Sequence, residues 1–349
     1  MILKKQRHSD IFLHFFKQVR VLAYSEILRP PGEEKYIASI DLGSHTARFL
    51  ICKIVGPPVL FRPVARKRFY TNLAEGFNQE DTGCISASSV ERAVNALENF
   101  NSIAEEYSVD RIVGAATGIF RRAENSQDLL NKIKARTGVK IEIVSGEDEA
   151  DLTLKGISHA LGLTDYPDAF FDLGGSTTEI IYKSGDKKEI FSLPIGAFIL
   201  TDLFFSNDPP AEEEVDNFKK NVDDILIGKP GVNIKNNSGF KLIGSGGTVT
   251  SLAAMILNLD KEHVTPEAIN GILIDRGKIH ELYEYLKPLS HAERLNIKSI
   301  DDGRRKVILA GTICVMSIME FFKSKNLTVS YSDILEGLII SYLKGEKDE

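Results

Sequence analysis

Two short stretches of the 349-residue chain repeat one another, "IDLGSHTARFLI" at 40–51 and "FDLGGSTTEIIY" at 171–182. In each, an apolar run ends in an acid, turns through glycine and hydroxyl residues, and leaves as a second apolar run. Asp41 pairs with Asp172, Leu42 with Leu173, Gly43 with Gly174 and Thr46 with Thr177. Apolar runs joined by such turns read as strand hairpins. Two copies of one hairpin, far apart in the chain, call for two duplicated domains facing each other across a cleft. The length agrees, because single cores rarely grow past about 250–300 residues.

The stretches between fit an α/β cycle run twice. "RIVGAA" (111–116) and "VKIEIV" (139–144) read as strands, and helices are predicted over 87–107, 124–136 and 147–161. In the first helix Val90, Ala93, Val94, Leu97, Phe100 and Ile103 recur at helical spacing. The third opens on Glu147-Asp148-Glu149, acids that suit a helix N-terminus. The second cycle has strands in "AFFDLGG", "TEIIYKS", "KKEIFSL" and "FKLIGSGG", and helices over 195–205, 210–226 and 248–257. The remainder reads as mostly helical, including 302–323 and 332–344. Alternation of this kind predicts two mixed or parallel sheets. Residues 1–35 read as a basic extension without a signal peptide, closed by Pro30-Pro31-Gly32. The expected domains are 36–150 together with about 330–349, and 151–329.

Net charge is −6, so the chain as a whole is not expected to bind nucleic acid or an anionic membrane. The seven histidines show no zinc-ligand spacing. Cys52, Cys84 and Cys314 lie far apart and read as reduced thiols of a cytoplasmic protein. No apolar run approaches the ~20 residues of a membrane span.

The hairpin turns carry the chemistry. Glycine lets backbone N–H groups approach a phosphate without a Cβ in the way. Ser44, His45 and Thr46, with Ser176, Thr177 and Thr178, add side-chain donors. Asp41 and Asp172 would repel phosphate unless a hard cation such as Mg²⁺ stands between them. A third turn, Gly244-Ser245-Gly246-Gly247-Thr248, opens a helix and offers an anion site at its N-terminus. It is neither a P-loop nor a dinucleotide fingerprint. The basic stretch "RPVARKRFY" (62–70) reads as a solvated face or, with Arg304, Arg305 and Lys306, as the approach for a polyanion.

These turns, with "AATGIFRRAENS", "EIVSGEDEADL", "LIGSGGTVTSLA", "DGRRKVILAG" and "SYSDILEGLI", resemble the actin, hexokinase and Hsp70 superfamily. More closely they resemble the exopolyphosphatase/guanosine pentaphosphate phosphohydrolase (Ppx/GppA) family. The resemblance implies two ribonuclease-H-like α/β domains across a cleft and a homodimer. It also implies Mg²⁺-dependent hydrolysis of a terminal phosphoanhydride, with inorganic polyphosphate as substrate and guanosine pentaphosphate as the nearest alternative. By the same resemblance, Glu149 activates the attacking water and Glu179 is the second essential acid, beside a metal held with Asp41 and Asp172. Arg121 binds phosphate, as do the turns at Gly43, Gly174–Gly175 and Gly246–Gly247 with Thr248. Three departures stand out: His45 replaces the usual asparagine, Ser176 the third glycine, and Leu335 the arginine before Glu336-Gly337. A kinase of the same superfamily and a non-catalytic polyphosphate or alarmone sensor are the competing readings.

Overall fold

In the computed structural model the two repeats open two sheets of matching topology. The structure describes residues 34–56, 60–77, 83–164, 167–184, 187–228 and 241–345; residues 1–33 of the predicted extension lie outside them, and its last residue, Lys35, already opens the first strand. The first sheet holds β1 (Lys35–Leu42), β2 (Thr46–Gly56), β3 (Leu60–Tyr70), β4 (Arg111–Ala116) and β5 (Glu142–Ile143), in the order β3-β2-β1-β4-β5. The second holds β6 (Ala169–Leu173), β7 (Thr178–Ser184), β8 (Lys187–Leu193), β9 (Leu242–Ser245), β10 (Leu273–Asp275) and β11 (Asn326–Val329), in the order β10-β11-β9-β6-β7-β8. In each, the repeat forms an antiparallel hairpin extended by a third antiparallel strand, and its first strand pairs in parallel with the fourth. β10 is an addition on the far edge of the second sheet, antiparallel to β11. The fold class is the expected one, two ribonuclease-H-like α/β units.

Strand alternation decides what each face carries. Ala38, Ile40 and Leu42 of β1, with Phe49 and Ile51 of β2, pack under the helices Ala87–Glu106 and Ser126–Thr137. The opposite face presents Ile37, Leu50 and Cys52 to the helix Ile334–Leu343, so the chain returns to its first sheet at the end. Asp41 and Arg48 fall on this second face by the same alternation. In the second sheet Phe171, Leu173 and Ile180 join the core under the helices Glu212–Ile227, Gly247–Ile256 and Ile308–Phe321. Each of the larger side chains contributes about 2–3 kcal/mol by leaving water. Phe170, Ile181 and Ile243 face the helix Gly146–Ala160 instead. The helices 146–160 and 334–343, which carry the chain out of and back into the first sheet, cross with backbones nearly touching at Gly156 and Gly337.

Three local expectations change. The strand over 139–144 shortens to the two residues of β5, paired only with the end of β4. The region read as mostly helical contains β10 and β11, short segments whose strand character comes from sheet pairing rather than from a long apolar run. The helix over 302–323 is a 3₁₀ turn at Asp302–Arg304, capped by the Asp301 side chain, followed by a helix only from Ile308.

Candidate active site

The two hairpin turns are built alike. The N–H of Gly43 donates to the Thr46 carbonyl at 2.9 Å, and the N–H of Gly174 to the Thr177 carbonyl at 2.9 Å. These two amides close their turns and are not donors to a phosphate. The cross-strand partner of the acid then distinguishes the copies: Asp41 lies opposite Arg48, whereas Asp172 lies opposite Glu179. Arg48 donates from Nε (2.8 Å) and holds Nη2 at 2.6 Å from the same Asp41 oxygen, and reaches Asp333 through Nη1. Thr117 donates to the other Asp41 oxygen at 3.1 Å. The first acid is neutralised; the second hairpin doubles its acid. Asp172 accepts from Ser245 Oγ at 2.7 Å, and Glu179 from Ser192 Oγ at 2.8 Å.

Glu149 enters from the first turn of the helix Gly146–Ala160, whose N-cap Ser145 accepts from the Asp148 N–H at 3.0 Å. Arg121, closing the 3₁₀ turn Gly118–Arg121, donates to Glu149 Oε2 at 2.6 Å and stands 3.8 Å from Glu179 Oε1. It therefore clamps two carboxylates, and it is not among the residues lining the cavity. In this arrangement its guanidinium is engaged by Glu149 and lies near Glu179.

Burial, reinforced by the neighbouring charge of Glu179 and opposed by Arg121, holds the Glu149 carboxyl well above its ordinary range. Burial also raises Glu179 to about 7, with Asp172 adding to it and the Ser192 hydroxyl and Arg121 opposing. Asp172 rises to about 6 through burial and the Asp333 charge, against Arg48. Raised carboxyl pKa values mean that their protonated forms favour folding below the ordinary carboxylate range, and that this stability is lost as pH climbs through 6 and 7. In EDTA, Tm is expected to fall by several degrees between pH 5 and pH 8, with a shallower fall in Glu179→Gln. Thermal melts across that range check it; an equal slope in both proteins would contradict it.

The third turn completes the cavity. Gly246 has φ +97°, and a Cβ there would lie 2.3 Å from the Leu173 carbonyl oxygen, so only glycine lets β9 end against the second hairpin. A Cβ on Gly247 would lie 1.9 Å from Arg304 Cζ, whose Nη1 donates to the Gly247 carbonyl at 2.7 Å. Burial, with Arg68 nearby, lowers Arg304 to about 10, and the contacts of its Nη1 are with Gly247 O and Thr250 Oγ1 rather than with a carboxylate.

One cavity is lined by Asp41, Gly43, Ser44, His45, Thr46, Glu149, Asp172, Gly174, Gly175, Ser176, Thr177, Glu179, Gly246, Gly247 and Thr248. Among the side chains singled out as catalytic or phosphate-contacting, Arg121 and Thr178 stand outside that lining. Several hydroxyls have protein partners: Ser44 Oγ accepts from the Ile119 N–H at 2.9 Å, and Thr178 Oγ1 donates to the Ile195 carbonyl. Ser176 Oγ is buried with no partner. Burial lowers the His45 pKa to about 4, and its ring stacks on Phe198. Arg48, Tyr70, Thr117 and Phe198 also line the cavity and were not singled out. For Arg48 the legible signal was the strand register that puts it opposite Asp41.

Among the described residues no three His, Cys, Asp or Glu side chains converge as a ready-made metal cage. Mg²⁺ does not require one, since it is commonly held by one or two carboxylates with phosphate oxygens and water. Asp172 and Glu179, hard oxygen donors facing each other across a hairpin without an arginine between them, fit that pattern. Asp41 does not fit as well, because one of its oxygens is held by Arg48 and the other by Thr117. No described helix is long and apolar enough to cross a membrane.

Comparison with known proteins points the same way. A bifunctional 3-dehydroquinate synthase/phosphatase of Fusobacterium nucleatum is 28% identical over 313 residues, which is 87% of this chain and 46% of that protein. The chain thus spans about half the length of this curated relative. The crystal structure of a Ppx/GppA protein from Aquifex aeolicus is 29% identical with a TM-score of 0.73, covering 91% of this chain and 100% of that one. An exopolyphosphatase from Cytophaga hutchinsonii is 25% identical with a TM-score of 0.79, covering 89% and 98%. Nucleoside triphosphate hydrolases from Neospora caninum share the fold alone, at 10% identity and a TM-score of 0.53 over 98% and 97% of the chains. Residues 51–346 match the Ppx/GppA phosphatase family. With that match spanning most of its length, and with paired glycine turns around a buried acid, the chain belongs to the Ppx/GppA phosphatase family.

Proposed function

We propose that this chain is a Mg²⁺-dependent hydrolase that removes the terminal phosphate from inorganic polyphosphate. The observation that carries the reading is the meeting of Glu149 with the turns of both hairpins and the third glycine turn in one cavity. Phosphoryl transfer to water needs positioning and charge neutralisation more than covalent chemistry. Arg304, the third turn at a helix N-terminus and the partnerless Ser176 hydroxyl supply donors for the phosphate oxygens. Asp172 and Glu179 would hold the Mg²⁺, which would neutralise charge building on those oxygens. Glu149 takes the proton from a water as its oxygen bonds to the terminal phosphorus and the bridging P–O bond breaks, the electron pair leaving with the shortened chain. Arg121 keeps Glu149 aimed and limits the charge between it and Glu179. The cytoplasmic homodimer implied by the family resemblance belongs to the same proposal.

Phosphate release from tripolyphosphate, longer polyphosphates and guanosine pentaphosphate, each with Mg²⁺ and with EDTA, tests this. Release from the polyphosphates is expected to fall at least ~100-fold in EDTA, a loss of the size expected when charge stabilisation is removed. Faster release from guanosine pentaphosphate would move the substrate assignment. Binding without release from any of them would leave a sensor.

A further inference from the structure

One contact crosses the cleft beside the cavity without charge or hydrogen bond. The imidazole of His45, in the turn of the first hairpin, stacks on Phe198 of the helix Ala197–Phe204, with centroids 4.4 Å apart and planes 14° from parallel. Both rings rest on Gly175 of the second hairpin turn. A Cβ there would lie 2.6 Å from His45 Nδ1 and 3.1 Å from Phe198 Cδ2. His45 Nδ1 is buried and has no hydrogen-bond partner. The Gly175 carbonyl accepts from the Phe198 and Ile199 N–H groups at 2.9 and 3.1 Å, which ties the turn to the same helix. The ring of the first lobe is therefore wedged against the turn that meets phosphate in the second.

We propose that His45 and Phe198 are positioning residues: their stack clasps the two lobes and presses the Gly174–Ser176 turn into the geometry that meets the substrate's phosphate. The clasp works through the ring of His45 and not through its nitrogens. It rests on the proposed phosphohydrolase reading, and it reverses the ranking of substitutions that a phosphate-binding His45 would give. Asparagine keeps hydrogen-bonding capacity and loses the ring; phenylalanine keeps the ring and loses the nitrogens.

The test is steady-state hydrolysis of tripolyphosphate with Mg²⁺ by wild type, His45→Asn, His45→Phe, Phe198→Ala and the double variant His45→Asn/Phe198→Ala. His45→Asn and Phe198→Ala should each raise KM about three- to tenfold, the size of one aromatic pair, with kcat changed less. The double variant should be no worse than the poorer single one, and His45→Phe should stay within about twofold of wild type. Melts run alongside should place His45→Phe at or above wild type, since it removes a buried partnerless nitrogen. The clasp is overturned if His45→Phe loses as much as His45→Asn, or if the two single effects multiply in the double variant. If wild type releases no phosphate, the hydrolase reading fails by itself. The same double-variant cycle read in Tm then decides the clasp, coupling supporting it and additivity sinking it.

Discussion

Glu149→Gln is expected to lower phosphate release from tripolyphosphate by about 10²–10⁴-fold, the contribution typical of a positioned general base. Binding should change by no more than a few fold. The amide keeps the length of the side chain and can still accept from Arg121 Nη1, now 2.6 Å from Glu149 Oε2, so the clamp on Glu179 persists. What is lost is the capacity to take a proton. Wild-type activity should carry the signature of that group. Burial and the Glu179 charge hold Glu149 protonated above the ordinary carboxylate range, so its basic form, and with it the rate, appears only as pH rises. The residual activity of Glu149→Gln should lack that rising limb. Stopped assays across pH 5 to 9 with tripolyphosphate binding measured separately decide it; a variant retaining more than about a tenth of the wild-type rate would remove Glu149 from the role of base.

The parts of this site that were legible in the sequence are those whose chemistry is local. An acid, a glycine turn and a strand on each side fall within a dozen residues, and repetition of that unit revealed both lobes and most of the cavity wall. The acidic first turn at Glu147-Asp148-Glu149 marked a helix start, but Glu149 stood out as the base only through the family resemblance. Contacts between distant segments were not legible. The ion pairing of Arg121 with Glu149, and its approach to Glu179, join segments far apart in the chain. The basic stretch 62–70 reads as a solvated face or a polyanion approach, yet strand alternation in β3 turns Arg66 onto buried Glu336 and Tyr70 onto Asp301, while Lys67 stays exposed. The metal set follows the same lesson. Asp41 and Asp172 are equivalent in sequence, and only the residue seven positions on, Arg48 in one copy and Glu179 in the other, separates their roles. That difference stood in the sequence throughout, but it carries meaning only once the hairpin register makes the two positions face each other.

Gly337→Ala is expected to destabilise the fold by about 3 kcal/mol or more, at the upper end of overpacking effects. Tm should fall by roughly 5–10 °C. Helix propensity argues the other way, since Gly337 lies within the helix Ile334–Leu343 and alanine there should gain up to about 1 kcal/mol. Packing decides the sign. A Cβ at Gly337 would sit 1.8 Å from the Leu152 carbonyl oxygen, and one at Gly156 would sit 2.1 Å from the Asp333 carbonyl oxygen. Both obstacles are helix backbone, which cannot swing aside as a flexible side chain would, so the two helices must separate. Gly76→Ala supplies the contrast: its positive φ strains any side chain, but nothing lies within 4 Å of the new Cβ, and a loss of only about 1 kcal/mol is expected. The clash also reaches the site. Asp333 both caps the helix that Gly337 belongs to and holds Arg48, which holds Asp41. Gly337→Ala should therefore lose activity at temperatures where it is still folded, whereas Gly76→Ala should not. Denaturant melts with phosphate release at 20 °C check both, and a Gly337→Ala protein as stable as wild type would mean that these helices do not meet as closely as described.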